Sequence, residues 1–209
     1  MSTTPFAVAL IAGGRSVRMG TDKGRLMDAR GVEWWRSRLA VLRELGAEET
    51  LISCRPDQKH FIGSGARLIF DQWPDAGPLG GVVSCLEAMT AGRLVVLGVD
   101  LPAMTGEMLR SLMTVSGPDQ GAVFHNGRFF EPLAAVYPKD MAESGRRLLK
   151  TGNLALQPWL KEGAEAGLLK VVDPPAESQD CFRNLNSPAD LAGSSPVPAT
   201  PGITEREIN

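Results

Sequence analysis

The sequence predicts an α/β fold, and three observations support that prediction. Short apolar runs alternate with amphipathic segments along the chain, which is the order expected of strands separated by helices. The 209 residues are 43% hydrophobic and 22% charged, close to the average for globular proteins. A chain of this length corresponds to one domain, or two at most. We therefore expect a layered domain with a substantial hydrophobic core.

The first half of the chain alternates strongly between the two patterns. The first strand is predicted at 6–12, where an apolar run ends at Gly13 and Gly14. Trp34 and Trp35 are adjacent and hence on different helix faces, so we expect Trp35 in the core and Trp34 partly exposed or at a partner surface. Further strands are predicted at 50–54, 66–70 and 94–99, and helices at 33–45, 79–89 and 105–115.

The second half predicts antiparallel pairing. Asn126-Gly127 between two apolar runs is typical of a type I′ hairpin, and Tyr137 is expected in the core. Strands are predicted at 122–125, 128–130, 133–137, 168–172 and 182–185, and helices at 141–150, 154–160 and from 187. We expect the domain to span 1–192, and residues 193–209, rich in Ser, Pro and Thr, to form a disordered tail.

Composition excludes several classes of function. The formal charge is −2 and the pI about 5.8, so no broad basic face for nucleic acid is expected. No apolar run approaches the ~20 residues that cross a bilayer, and residues 1–5 carry no secretory signal pattern. The three cysteines form no CxxC pair, which favours reduced thiols over a zinc site. We therefore expect a cytoplasmic protein without membrane or nucleic-acid partners.

A glycine-rich segment at 11–23, IAGGRSVRMGTDK, is the first candidate site. A buried strand would deliver Gly13 and Gly14 to the carboxyl edge of a sheet, where successive backbone amides can bind an anion. Arg15, Arg18 and Lys23 add positive charge suited to a polyphosphate. The spacing matches neither the Walker A nor the dinucleotide pattern, and an ordinary turn with solvated arginines is the alternative.

Three further features lie after predicted elements. Asp100 follows a strand and could hold Mg²⁺, which prefers oxygen ligands; a turn-forming aspartate before proline is the alternative. Asp71 follows another strand and has the same ambiguity. The turn 77–81, GPLGG, could bring backbone amides against a ligand, or simply connect two elements.

Taken together, these motifs resemble the molybdenum cofactor guanylyltransferase family. The segment LIAGGRSVRMGTDKG resembles its signature, and Asp71 with GPLGG, VVLGVD-x-P, EPLAAVY and FRNLNSPADL resemble later motifs in the same order. The resemblance runs from about residue 8 to residue 191. It implies a single Rossmann-like three-layer domain with a mixed, mostly parallel sheet. It also implies Mg²⁺-dependent transfer of GMP from GTP to a molybdopterin acceptor that carries molybdenum.

The resemblance also assigns site residues. The residues implied to bind nucleotide are Ile11, Ala12, Gly13, Gly14, Lys23, Ser53, Asp71 and Asp100. Asp100 would also be the metal ligand, and Lys23 would contact the phosphates. We add Arg18 as a catalytic phosphate clamp beside Lys23 and Asp100. Asn184 and Asn186 fall on the last motif and would face the acceptor or the metal; two asparagines that end a strand are the alternative.

Departures from the family pattern leave other functions open. Gly31-Val32-Glu33-Trp34 stands where the family has G-x-P-L, Ser53 or Cys54 replaces an asparagine, and Glu131 is an acid where a neutral or basic residue is expected. A transferase for CTP or for another phosphorylated acceptor is one alternative. A non-catalytic nucleotide-binding protein of molybdoenzyme maturation is another. The resemblance also allows a molybdoenzyme or chaperone partner, whereas a dehydrogenase is disfavoured.

Overall fold

The computed structural model describes residues 5–14, 22–28, 30–73 and 75–182. Its strands are β1 (Phe6–Ile11), β2 (Glu49–Cys54), β3 (Arg67–Phe70), β4 (Arg93–Gly98), β5 (Gly121–His125), β6 (Phe130–Pro138) and β7 (Leu169–Val172). Its α-helices are α1 (Trp34–Arg43), α2 (Gly77–Ala88), α3 (Gly106–Val115), α4 (Met141–Lys150) and α5 (Leu156–Glu165). Short 3₁₀ helices cover Lys23–Arg25, Lys59–Phe61 and Ala176–Phe182.

One seven-stranded sheet has the order β3-β2-β1-β4-β6-β5-β7. The pairs β1–β2, β1–β4, β2–β3 and β5–β7 are parallel. Strand β6 runs antiparallel to both β4 and β5. The prediction of a mixed, mostly parallel sheet is therefore confirmed. Because β1 to β4 are mutually parallel, their carboxyl ends meet at one edge of the sheet.

Helices cover both faces of this sheet. Ala7, Ala9 and Ile11 join one buried cluster with side chains of α2, α4 and α5. The alternate residues of β1 join a second cluster with side chains of α1 and α3. This alternation follows from the period of two along a strand. The expected three-layer, Rossmann-like architecture is thus confirmed, and β1 is apolar throughout because both of its faces are buried.

The predicted hairpin forms, but its turn type is different. Residues 128–130 and 133–137 were expected as separate strands, whereas β6 is one strand of nine residues. The Asn126 amide donates to the Phe129 carbonyl, which makes Gly127 and Arg128 the central residues of the turn. Gly127 has φ +84°, and Arg128 does not have positive φ. A type I′ turn needs positive φ at both central positions, so that prediction is wrong.

Two other expectations need correction. Trp34 is as buried as Trp35, each 2% exposed, because both join the cluster between β1, α1 and α3, against which Leu26 also packs. The Trp34 amide donates to the Leu26 carbonyl. Phe182 ends a 3₁₀ helix instead of starting a strand. Tyr137 is fully buried, as predicted.

The remaining predictions at the carboxyl end concern residues 183–209. The strand continuing to 185, the helix from 187, the domain end at 192 and the tail at 193–209 all lie outside the described residues. Within the described ranges, none of the helices is both long and apolar enough to cross a bilayer.

Candidate active site

A cleft opens at the edge of the sheet where β1 to β4 end. Its walls come from the end of β1 and the segment after it, from the end of β2, from residues just beyond β3 and β4, from the start of α2 and from β6. The lining residues are Ile11, Ala12, Gly13, Gly14, Asp22, Lys23, Ser53, Asp71, Gly77, Pro78, Gly81, Val99, Asp100 and Leu133. Ligands of open α/β sheets bind at this kind of edge.

The structure brings together the nucleotide-binding residues expected from the sequence. Ile11, Ala12, Gly13, Gly14, Lys23, Ser53, Asp71 and Asp100 all line this cleft. These residues lie at or after the ends of four different strands. They are far apart in the sequence, so their spacing along the chain does not show that they are close in space. Arg18, Asn184 and Asn186, the other predicted site residues, lie outside the described residues.

The carbonyls of the glycine segment are held away from the cleft by two side chains that follow β2. Arg55 Nη1 donates to the carbonyls of Gly13 and Gly14 at 3.2 and 2.9 Å. Gln58 Nε2 donates to the Ala12 carbonyl at 3.1 Å. The Ala12 amide donates to the Ser53 carbonyl at 2.9 Å, so the amides of Gly13 and Gly14 are the ones that can face a ligand. This is the arrangement that a backbone anion site requires.

Gln58 also joins the two ends of the segment that contains residues 15–21. Its Nε2 donates to Asp22 Oδ2 at 2.6 Å, while its Oε1 accepts from the Arg55 amide at 2.8 Å. Asp22 Oδ1 in turn accepts from the Gly24 amide and caps the 3₁₀ helix that carries Lys23. One amide side chain therefore positions both the glycines and Lys23.

Asp100 lies beyond β4 and faces Lys23. Lys23 Nζ is 4.0 Å from Asp100 Oδ2, and the two side chains are 17% and 21% exposed. Burial raises the pKa of the Asp100 carboxyl above its ordinary value, and the positive charge of Lys23 opposes that rise. Gly98 permits this placement, since a Cβ there would lie 2.7 Å from Asp100 Oδ1.

Asp71 and Ser53 pack against the start of α2. A Cβ on Gly80 would lie within 2.9 Å of both Asp71 carboxylate oxygens, and a Cβ on Gly81 would lie 2.5 Å from Ser53 Oγ. Burial raises the pKa of Asp71, partly offset by the Trp73 amide that donates to it. Ser53 Oγ is buried without a hydrogen-bond partner among the described residues, so its hydroxyl is available to a ligand in the cleft.

Glu131 lies near Asp100 on the neighbouring strand. Burial and the negative charge of Asp100 raise the pKa of Glu131 to about 7, although Asn126 Nδ2 donates to its carboxylate at 3.0 Å. The unexpected acid of the sequence therefore lies within the electrostatic influence of Asp100 and is partly protonated near neutral pH.

The cleft combines donors for an anion with oxygen ligands for a hard cation. Backbone amides and Lys23 suit phosphate groups, whereas Asp100 and Asp71 supply carboxylate oxygens. Across the described ranges, no three or more His, Cys, Asp or Glu side chains cluster closely enough to hold a metal by themselves. Mg²⁺ commonly takes one or two protein carboxylates together with substrate phosphates, so this donor set fits that ion.

Sequence reasoning missed three contributors to the site. Asp22 was part of the first motif but received no role, and Arg55 and Gln58 were not considered. All three follow a strand end or a candidate phosphate loop, as Asp71 and Asp100 do. Asp100 was predicted because polar residues just after a strand lie at the ligand-binding edge of the sheet. The same reasoning, applied to the polar residues that follow β2, would have predicted Arg55 and Gln58.

Comparisons with known proteins show what this chain is similar to. Residues 8–166 match the model of the MobA-like NTP transferase domain. A protein from Opitutus terrae named probable molybdenum cofactor guanylyltransferase is 34% identical over 90% of this chain and 94% of its own length. The molybdenum cofactor guanylyltransferase of Pseudomonas putida strain F1 is 33% identical over 90% of this chain and 96% of its own.

Solved structures share the same fold. Molybdopterin-guanine dinucleotide biosynthesis protein A from Archaeoglobus fulgidus aligns with a TM-score of 0.69 and 21% identity, covering 89% of this chain and 95% of that one. A nucleotidyl transferase from Methanothermobacter thermautotroptrophicus aligns with a TM-score of 0.73 and 16% identity, covering 90% and 94%.

Proposed function

Because this chain belongs to the MobA-like NTP transferase family and is a nucleotidyltransferase, we propose that it transfers GMP from GTP to molybdopterin carrying molybdenum. The family resemblance seen in the sequence is thereby confirmed. The observation that carries the proposal is the cleft itself, in which Lys23 lies 4.0 Å from Asp100 beside the glycine segment. The names of the two relatives support guanylyl transfer over the cytidylyl alternative.

The reaction proposed here is a phosphoryl displacement. An oxygen of the acceptor's phosphate attacks the α-phosphorus of GTP, a new P–O bond forms, and the bond from that phosphorus to the bridging oxygen breaks. Pyrophosphate leaves with the electron pair of the broken bond. The attacking phosphate is already largely ionised at pH 7, so no general base is needed. What the protein must supply is alignment of two polyanions and neutralisation of charge.

The residues of the cleft divide these tasks. Ile11 and Ala12 would contact the nucleotide, and the amides of Gly13 and Gly14, whose carbonyls are held by Arg55, would bind phosphate oxygens. Lys23 would neutralise the triphosphate, with Arg18 proposed as a second clamp. Ser53 and Asp71 would contact the nucleotide.

Asp100 would hold Mg²⁺, which when bound neutralises negative charge on the phosphates. Asn184 and Asn186 are proposed to contact the acceptor. Like Arg18, they rest on the sequence resemblance alone. Three free cysteines suit the reducing cytoplasm in which we place the reaction. A molybdoenzyme or its chaperone is the proposed recipient of the product.

Pyrophosphate release tests the proposal directly. The full chain is incubated with ATP, CTP, GTP or UTP, with Mg²⁺ or EDTA, in the presence and absence of molybdenum-loaded molybdopterin. Release with GTP, acceptor and Mg²⁺ together is expected. Release with CTP would replace guanylyl by cytidylyl transfer. Absence of release with any combination, while nucleotide still binds, would favour the non-catalytic maturation role.

Asp100→Asn separates the role of the metal from that of nucleotide binding. We expect at least a hundredfold loss of turnover and less than a tenfold change in the Kd for GTP measured in EDTA, because the carboxylate is proposed to act through the metal. Asp173→Asn is the matched control, since Asp173 is an exposed carboxylate that follows β7. Equal loss of GTP binding and turnover in folded Asp100→Asn would contradict this role.

A further inference from the structure

Arg38 is a buried cation close to the turn that carries Asp100. Its residue is 6% exposed, and it projects from the middle of α1. Arg38 Nη1 donates to the carbonyls of Leu101 and Met104 at 3.3 and 2.7 Å. Both carbonyls belong to the turn that begins immediately after Asp100.

The environment of Arg38 is unusual for a buried charge. Burial lowers the pKa of its guanidinium to about 10, so the side chain remains charged at neutral pH. The hydrogen bonds of its Nη1 go to carbonyls, and Nε has no hydrogen-bond partner among the described residues. A buried charge paired in this way costs stability compared with an apolar residue of similar size. Stability alone is therefore a poor reason for arginine at this position.

Besides Arg38, the turn is held by the buried side chains of Leu101 and Met104 and by two backbone hydrogen bonds. The Leu101 amide donates to the Gly98 carbonyl at 3.4 Å, and the Met104 amide to the Leu101 carbonyl at 3.2 Å. The bifurcated contact of Nη1 ties the beginning and the end of this turn to α1. With both carbonyls fixed, the backbone at Asp100 cannot rotate without breaking a hydrogen bond to a charged donor.

We propose that Arg38 is a positioning residue, which fixes the 100–104 turn so that the Asp100 carboxylate is oriented towards a divalent cation bound with the nucleotide. This role rests on the proposed function. Arg38 touches neither substrate nor metal in this scheme, and it acts through the backbone that carries the ligand. Residues that orient a metal ligand typically change metal affinity by 10- to 100-fold when they are removed.

Arg93 offers a matched control at the opposite end of the same strand. It is 9% exposed, its Nη1 donates to the Gly117 carbonyl at 3.0 Å, and its Nε also has no hydrogen-bond partner in the described part of the chain. Arg93 begins β4, which places it roughly 20 Å from the Asp100 turn at the usual rise per residue. Its replacement by an apolar residue should leave the orientation of Asp100 unchanged.

The experiment compares wild type, Arg38→Met and Arg93→Met in the full chain. Water-proton relaxation enhancement measures Mn²⁺ affinity of the protein–GTP complex, and calorimetry in EDTA measures GTP affinity without metal. We expect Arg38→Met to weaken Mn²⁺ binding about tenfold and to change metal-free GTP binding less than twofold. Arg93→Met should change both less than twofold, and the Tm of both variants shows that they are folded.

The outcomes are distinguishable. If Arg38→Met does not fold, Arg38→Gln, which keeps one donor for the turn, is measured instead, with an expected loss of threefold or more. Wild-type Mn²⁺ affinity in the folded Arg38 variant, or an equal loss in Arg93→Met, would overturn the role of Arg38. If wild type binds Mn²⁺ and Asp100→Asn does not, the role of Asp100 as a metal ligand is supported independently of the result for Arg38. If wild type binds no Mn²⁺ with GTP, the metal site fails, and the role of Arg38 fails with it.

Discussion

Gln58→Met tests whether one buried side chain organises the proposed phosphate site. Gln58 is 4% exposed, and its amide makes hydrogen bonds with the Ala12 carbonyl, Asp22 Oδ2 and the Arg55 amide at 3.1, 2.6 and 2.8 Å. Methionine has similar length and volume, so the substitution removes the hydrogen bonds while leaving the space filled.

The expected loss follows from these three contacts. Each bond to a neutral backbone group contributes about 1 kcal/mol, and the bond to the Asp22 carboxylate about 2 kcal/mol. Water can partly replace Gln58 at Asp22, whose side chain is 20% exposed. We therefore expect the free energy of unfolding to fall by about 3 kcal/mol, or the Tm by roughly 6–12 °C.

The functional consequence is larger than for an ordinary core substitution. Without Gln58 the two ends of the 15–21 segment are no longer tied together, so binding must then order them. We expect the Kd for GTP to rise about tenfold, measured by calorimetry alongside urea unfolding. Gln120→Met is the control, because Gln120 makes a single side-chain bond, to the Gly167 carbonyl at 2.6 Å. A loss below about 1 kcal/mol, or unchanged GTP affinity, would refute the reasoning.

Two further substitutions, at Gly98 and Glu131, concern the surroundings of Asp100. In Gly98→Ala the new Cβ would lie 2.7 Å from Asp100 Oδ1 and 2.9 Å from Leu133 Cβ, so we expect about 1–3 kcal/mol of destabilisation and a larger fall in turnover than in GTP affinity. Gly92→Ala, which meets nothing within 4 Å, should do neither. The pKa of Glu131, raised from 4.5 to about 7, means that the folded state binds the extra proton, so stability falls as pH rises between those values. Glu131→Gln should therefore be roughly 2–3 kcal/mol more stable than wild type at pH 8, after solvent screening of this half-buried carboxyl, and equal to it near pH 4; equal stability at both pH values in urea unfolding would contradict this assignment.

Sequence patterns predicted well the strands and helices in which burial repeats regularly along the element. Strand β1 is apolar at every position because both faces are covered, and Gly46 ends the helical pattern of α1 with φ +76°. Predictions failed where contacts outside the repeating pattern decided the outcome. Trp34 is buried in the cluster between β1, α1 and α3, which helical periodicity cannot reveal. The hairpin turn shifted by one residue because the Asn126 side chain accepts from the amides of Arg128 and Phe129.

The amino-acid sequence by itself determined the kind of protein this is. Glycines after a buried strand, a carboxylate after another and a lysine between them predict phosphate and cation chemistry, since residue type and position at a strand end carry that information. Only the tertiary structure decided how these groups meet. Arg55, Gln58 and Arg38 hold carbonyls that lie 41 to 66 residues away in the sequence, and Gly80 and Gly98 matter because carboxylates approach them closely in space. Such contacts depend on how strands are ordered in the sheet, which local patterns in the chain do not encode.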